Sequence, residues 1–412
     1  MPFNRHTEAG GRAYLLVAIA LLLSTLASAQ RLPGRNDRFP GVEVVRRPLG
    51  DIDFEMLRKP DTVTVFVLGD LMCHGKMMRS AHAIYAMTHS GASIDNPYHF
   101  DFSTFFCRLG DRISGADVAV GNLEFPFAGP PFSGYPSFST PDCYAEYAAN
   151  EGFDVILTAN NHVLDQGTPG LKRTLDVYDK MEASTSARYT GTARSVQEEL
   201  ERYPLIVNVR DVRLAFVNFT YGTNSGASSA WPKVEKIHRD EILAAIERAR
   251  EKEADVIIAI PHWGEEYQLR HNAAQEDLAR WLVANGVDVI VGSHPHVVQD
   301  IAVYQSEYED GSPKEVPVVY SLGNAVSNQN DLPSRLEGCV TLRIVSHRGK
   351  TRVLPDPCLE FLWCTKAGMI DDGYSVVPVE EYAGHPEVWK VPGDYEKMMS
   401  TYDSVRKRLG LK

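Results

Sequence analysis

Residues 62–68 read TVTVFVL, a β-branched and almost wholly apolar run that ends at Gly69-Asp70, the pattern of a strand buried on both faces. The same grammar recurs four times: Asp117-Val118 opens DVAVGNLE, Asp154-Val155 opens DVILTANNH, Asp255-Val256 opens DVIIAIPHWG, and Asp288-Val289 opens DVIVGSHPH. Each is a short apolar strand closing on Asn, His or Glu. Amphipathic stretches lie between them. Residues 237–253 place Ile237, Ile242, Ile246 and Ala249 on one stripe, and residues 273–284 carry Leu278, Trp281 and Leu282 ahead of Gly286, a helix stop. Strands alternating with helices predict βαβ crossovers and a parallel sheet covered on both faces. Two hairpins add antiparallel pairs, 205–209 with 214–219 and 340–345 with 351–354, so the sheets are expected to be mixed.

The ends of the chain follow other rules. Arg5 and Arg12 lead into an apolar run at 14–26, and Ala27-Ser28-Ala29 precedes Gln30, the layout of a cleaved secretory signal peptide. The run is shorter than the roughly 20 apolar residues of a membrane helix. The expected organisation is a signal peptide at 1–29, a linker or N-terminal arm at 30–60 and one α/β domain at 61–354. A C-terminal extension at 355–412 would wrap the domain and end in a helix from about Asp394 to Leu409. Location is accordingly expected to be exported (periplasmic, cell-surface or extracellular), with no transmembrane span after cleavage.

Composition narrows the partners. With 42 basic and 54 acidic side chains in 412 residues the net charge is −12, which argues against a nucleic-acid partner because such binding needs a basic face. Six cysteines without CxxC spacing argue against a disulfide scaffold or a zinc knuckle. Cys339, Cys358 and Cys364 are the candidates for one bridge.

In α/β sheets, ligands gather beyond the carboxyl ends of the strands. Five such ends would bring Asp70, Glu124, Asn161, His162, His262, His294 and His296 to one rim. Carboxylate, imidazole and amide donors without thiolate suit Mn, Fe or Zn, and seven candidates exceed the needs of one ion. Two divalent metal ions sharing a carboxylate would use the set, and the implied chemistry is hydrolysis of a phosphoester or related bond. Asp165 either orients the His162 imidazole or caps the next helix. Trp263 and Tyr267 are expected to pack in the core, and Glu265 and Glu266 to be solvated.

The order GDLM, GNLEFPF, TANNHVLDQG, PHWGEEY, GSHPHVVQ and YSLGN, over roughly residues 62–326, resembles the CapA family of poly-γ-glutamate capsule-biosynthesis proteins, a branch of the calcineurin-like metallophosphoesterases. The resemblance implies a four-layer αββα sandwich. It also implies Asp70 on a first metal, Glu124 bridging, Asn161 and His262 on a second, His294 and His296 one on each, and His162 as the leaving-group acid. Two positions depart from the superfamily pattern: Met72 stands where Asp-x-His has its histidine, and Glu124 stands where Asp is usual. His74 either supplies the missing imidazole or is a surface residue of the following helix. Two functional readings follow: a hydrolase acting on a phosphoester or amide, or a metal-bearing factor that only grips an anionic cell-envelope polymer. Either would work beside capsule-synthesis machinery.

Overall fold

The computed structural model of the protein describes residues 30–31, 43–46, 62–347 and 350–411. The signal peptide expected over 1–29 lies outside the described residues, as does most of the arm expected over 30–60.

The chain builds one sheet, leaves it to build a second, and returns. The first stretch makes β1 (Thr62–Leu71), α1 (Gly75–Thr88), β2 (Val118–Leu123), α2 (Cys143–Glu151), β3 (Val155–Leu157), α3 (Gly167–Ser184) and β4 (Arg188–Thr190). The middle stretch makes β5 (Leu205–Val209), β6 (Val212–Thr220), α4 (Arg239–Glu251), β7 (Val256–His262), α5 (Ala273–Ala284), β8 (Val289–Val291), β9 (Ile301–Glu307) and β10 (Pro313–Val319). The last makes β11 (Asn324–Val326), β12 (Leu336–His347), β13 (Lys350–Val353), β14 (Cys358–Thr365), β15 (Ser375–Pro378) and α6 (Pro392–Leu409).

The first sheet has the order β15-β14-β12-β1-β2-β3-β4, with β11 beside the end of β1 and β13 paired to β12. Strands β1 to β4 are parallel, and β12, β14 and β15 are antiparallel to their neighbours. The second runs β9-β10-β8-β7-β6-β5, with β6, β7, β8 and β10 parallel and the expected β5–β6 hairpin at one edge. At the other edge Glu43–Arg46 pairs antiparallel with β9 and Gln30–Arg31 pairs with Glu43–Arg46, so part of the 30–60 region is strand.

Side-chain alternation on β1 explains the layering. Val63, Val65 and Val67 point into a core shared with Leu214, Phe216, Ile258 and Val289 of the second sheet. Phe66 and Leu68 point the other way, onto Met77, Tyr144 and Leu171 of α1, α2 and α3. The outer face of the second sheet packs Val217 and Phe219 against Ile242 and Ile246 of α4 and Leu278 and Leu282 of α5. The result is the αββα sandwich, and the apolar runs of the sequence are its two central layers.

Three expectations change. Beyond Pro355 the chain does not merely wrap the domain: β14 and β15 extend the first sheet, because Phe361 and Trp363 are offered to a core that α6 closes with Met398, Tyr402 and Val405. All six cysteines are free thiols. Cys339 lies opposite Glu360 and Cys358 opposite Thr341, two rungs apart, while Cys364 Sγ contacts Ser327 O, so the expected bridge has no partners in position. Helix α4 begins at Arg239, two residues later than the stripe from Ile237 suggests.

The terminal helix is held by a buried ion pair. Arg335 makes two bonds to Asp394, at 2.7 and 2.9 Å, donates to Cys364 O, and stacks on Trp363, whose indole also donates to Asp394. Asp394→Ala would leave the guanidinium buried and uncompensated, and is expected to lower unfolding stability by about 3–5 kcal/mol in urea titrations. A change below about 1 kcal/mol would show that water reaches Arg335.

Candidate metal centre

Register brings the strand ends together. On adjacent strands Asn324, Asp70 and Asn122 lie side by side, since Asn324 pairs with Asp70 and Asp70 with Asn122. The close approach of β11 to β1 requires glycine at 69: a Cβ there would lie 2.1 Å from Gly323 O. Asn122 Nδ2 donates to Asp70 Oδ1 at 2.7 Å, and Asn160 Nδ2 donates to Asn122 Oδ1, tying the loop after β3 to the end of β2. From the second sheet, His262 ends β7 and is bridged to Ser293, just beyond β8. His294 N then donates to Asp70 Oδ2 at 3.0 Å, joining the two sheets at their carboxyl edges.

Two overlapping groups of donors result. Asp70, Glu124 and His262 form one, and Glu124, His294 and His296 the other, with the ligand atoms of each within 4.8 Å of one another. Glu124 belongs to both. Asn161 Oδ1 lies 2.7 Å from His262 Nε2, whose other nitrogen is 2.9 Å from Ser293 Oγ. His296 Nδ1 meets Asn324 Oδ1 at 2.9 Å, an amide that orients the ring. His294 and His296 both have positive φ, 97° and 58°, a strained conformation for residues with a Cβ and one that cost about 1–3 kcal/mol each elsewhere.

The donor set fits a cation. Every one of these residues is buried. Burial, and then the charge of Glu124, pushes Asp70 up to about 8; burial likewise raises Glu124 to about 8. Burial pulls His262 down to about 4 and His296 to about 3, and drives His294 lower still, so all three imidazoles are in their neutral, ligating form. Both oxygens of Glu124 and Nδ1 of His294 have no hydrogen-bond partner. An unmet buried polar atom costs about 1–3 kcal/mol, and a divalent ion would satisfy all three while favouring the charged carboxylates.

The sequence-derived candidates separate into three sets. Asp70, Glu124, Asn161, His262, His294 and His296 are brought together. His162 and Asp165 form a neighbouring pair, Nδ1 to Oδ2 at 2.8 Å, and the capping alternative for Asp165 drops out because α3 has Gln166 as its N-cap. His74 joins neither donor group; it precedes α1, accepts from Asn328 N, and lines a cavity beside the cluster. Met72 packs in the core under α1, so the first strand end supplies no imidazole.

Sequence reasoning missed Asn122, Ser293 and Asn324, all inside the motifs it used, because an amide or hydroxyl behind a ligand leaves no mark in residue spacing. Trp263 is in the core as expected, its indole donating to Tyr320 O. Tyr267 is not: it is 47% exposed, and a positive φ of 64° turns it out beside His296 on the cavity wall. Glu265 and Glu266 are exposed, as expected, and Glu266 Oε1 also lies 4.0 Å from His296 Nε2.

These shifts give the metal-free protein a signature in pH. Asp70 and Glu124 hold protons more tightly when folded, so they withdraw stability as pH rises towards 8; the three histidines act oppositely, and only below their ordinary value of 6.5. Between pH 6.5 and 8 the two carboxylates act in the same direction as His162, whose pKa is also raised in the folded protein, and, up to about pH 7, as Glu235. With chelator present, the urea midpoint is expected to fall across that window, and saturating Mn²⁺ or Zn²⁺ should make the fall clearly shallower. An identical pH slope with and without metal would separate the cluster from metal binding.

Over 286 residues the chain is 28% identical to the capsule biosynthesis protein CapA of Bacillus anthracis, covering 66% of this chain and 61% of that one. It is 32% identical over 179 residues to the PGA biosynthesis protein CapA of Bacillus subtilis, covering 43% of each chain. The chain thus spans less than two thirds of the length of either relative. Among solved structures, the calcineurin-like phosphoesterase YfkN from Bacillus subtilis superimposes with a TM-score of 0.44 at 14% identity, covering 84% of this chain and 97% of that one. The sequence profile of the bacterial capsule synthesis proteins, PGA_cap, matches residues 64–329, more than half of the 412 and all of the strand ends described above, and the chain belongs to that family.

Proposed function

We propose that the protein is an exported hydrolase dependent on two divalent metal ions, Mn, Fe or Zn, that cleaves a phosphoester or related bond during the making of a capsule or cell-envelope polymer of the poly-γ-glutamate kind. The observation that carries this reading is Glu124, a fully buried carboxylate whose oxygens have no hydrogen-bond partner, with His262 Nε2 3.5 Å from one of them, and which is common to two donor groups. A single ion would need only one such group. Asp70 and His262, with Asn161, would hold one ion and His294 and His296 together the other, in place of the expected one histidine on each, because both imidazoles fall in the same donor group with Glu124. Bound there, the ions would supply Lewis-acid activation of the substrate oxygen and of a water.

The chain's own contribution centres on His162. Its Nδ1 donates to Asp165 Oδ2, which also accepts from Phe138 N, so the ring is fixed from behind while its edge lines the cavity. Burial alone would lower its pKa, but the Asp165 bond and the charges of Glu124, Asp165 and Glu266 outweigh burial and hold it above the ordinary value. When protonated, an imidazole fixed in this way at the cavity wall can give a proton to a departing oxygen. That arrangement favours a catalyst over a protein that only binds polymer.

His162→Ala is expected to keep the metal content of the wild type and lose roughly 10²–10⁴-fold in kcat on an ester with a poor leaving group. Asp165→Asn removes the interaction that raises the imidazole pKa, so the alkaline limb of the kcat profile should move to lower pH. Undiminished turnover in His162→Ala would remove the acid role. A metal-loaded protein that binds polyglutamate and cleaves no ester or amide would establish the binding-only reading instead.

Export rests on the N-terminal segment, and among the described residues no helix is long and apolar enough to cross a membrane. The mature chain is expected to begin at Gln30, which N-terminal sequencing of protein from the culture fluid or cell envelope tests. An intact Met1 in the membrane fraction would make the segment an anchor.

A further inference from the structure

Beside the histidines lies a cavity of about 510 Å³ whose wall joins three chemistries. His296 and His162 line one part of it. Tyr135 and Tyr267, 73% and 47% exposed, form part of the mouth. Lys76 and Arg79 of α1 complete the lining, three residues apart and so on one face of the helix. Both are exposed, and neither makes an ion pair or side-chain hydrogen bond among the described residues, whereas Arg108, Arg173, Arg202, Arg239 and Arg335 are each paired with a carboxylate. The charge of Lys366 reaches the same corner, acting on His74. The one acidic lining residue, Glu266, stands at the histidine end, 4.0 Å from His296.

His74 adds a directed donor. Asn328 N occupies its Nδ1, so the ring hydrogen sits on Nε2. The loop at Gly134 lies directly on the start of α1, where a Cβ would come within 2.3 Å of Gly75 N, and this contact shapes that end of the cavity. Cations lacking counter-charges, next to a site with metal-type donors, leave an anion as the missing partner.

We propose that Lys76 and Arg79, with His74, form an anion subsite that holds a second acidic group of the substrate while a first group reaches His296 and His162. The inference rests on the polymer substrate of the proposed function and assigns its selectivity: chains carrying repeated carboxylates or phosphates are preferred over small monoanions. The subsite binds and positions; it takes no part in bond cleavage.

The test is calorimetric titration of the mature, Mn²⁺-loaded protein with a γ-glutamate oligomer, a polyphosphate of matched charge, and inorganic phosphate, at low and at physiological salt. Lys76→Glu with Arg79→Glu is expected to weaken binding of the preferred oligomer about tenfold and flatten its salt dependence, with metal content and phosphate affinity as in the wild type. Lys76→Arg with Arg79→Lys should retain the affinity. Tighter binding of polyglutamate or of polyphosphate by the wild type identifies the acidic group as carboxylate or phosphate. Unchanged oligomer affinity in the reversed variant, an equal loss for phosphate, or no oligomer binding by the wild type would overturn the subsite. Oligomer binding that depends on both cations in a protein without hydrolytic activity would keep the subsite and reject the hydrolase.

Discussion

Two carboxylates and three imidazoles are buried together at the junction of two sheets, and among the described residues neither acid is paired with a lysine or arginine. In the absence of a cation, burial keeps the carboxylates protonated and the rings neutral, a state with unmet polar atoms that the apolar surroundings cannot satisfy. Much of the local architecture serves to hold this arrangement. Asn122 and His294 N clamp Asp70 from two sides, Asn324 and Ser293 fix the rings of His296 and His262, and two left-handed histidines accept backbone strain to face inward.

The sequence foretold the layers and the rim because both rest on strong, short-range signals. A both-faces-buried strand is an unbroken apolar run, and a strand end that holds a ligand is a polar cluster at its close, so β1, β2, β3, β7 and β8 and the residues after them could be read in order. What escaped has a different physical basis. Asn122, Ser293 and Asn324 act through partners 28 to 140 residues distant, and no local pattern records that. Tyr267 looks like a core aromatic until its positive φ turns it outward. Strands β14 and β15 hide behind prolines and glycines because their pairing energy comes from β12 and from α6, not from their own composition.

The departures from the superfamily motif also find a local account. With Met72 committed to the core, the first strand contributes a carboxylate and no imidazole, and the neighbouring His74 serves the cavity wall. Glu124, one methylene longer than the usual aspartate, reaches into both donor groups from just beyond the end of β2. The cluster is therefore weighted towards the paired histidines after β8, which is also where the backbone is most constrained.

The excursion of the chain from the first sheet into the second and back has a consequence for how the molecule comes into being. Asp70 is made early, yet the backbone amide that clamps it belongs to His294, 224 residues later, and β12, the antiparallel neighbour of β1, follows only after the whole second sheet. Such non-local closure is slow, because loop entropy must be overcome before the contacts reward it. An N-terminal fragment ending before Ser293 lacks the hydroxyl that fixes His262, the amide that clamps Asp70, and both histidines of the second donor group. The centre is therefore complete only once both sheets have formed and their carboxyl edges meet.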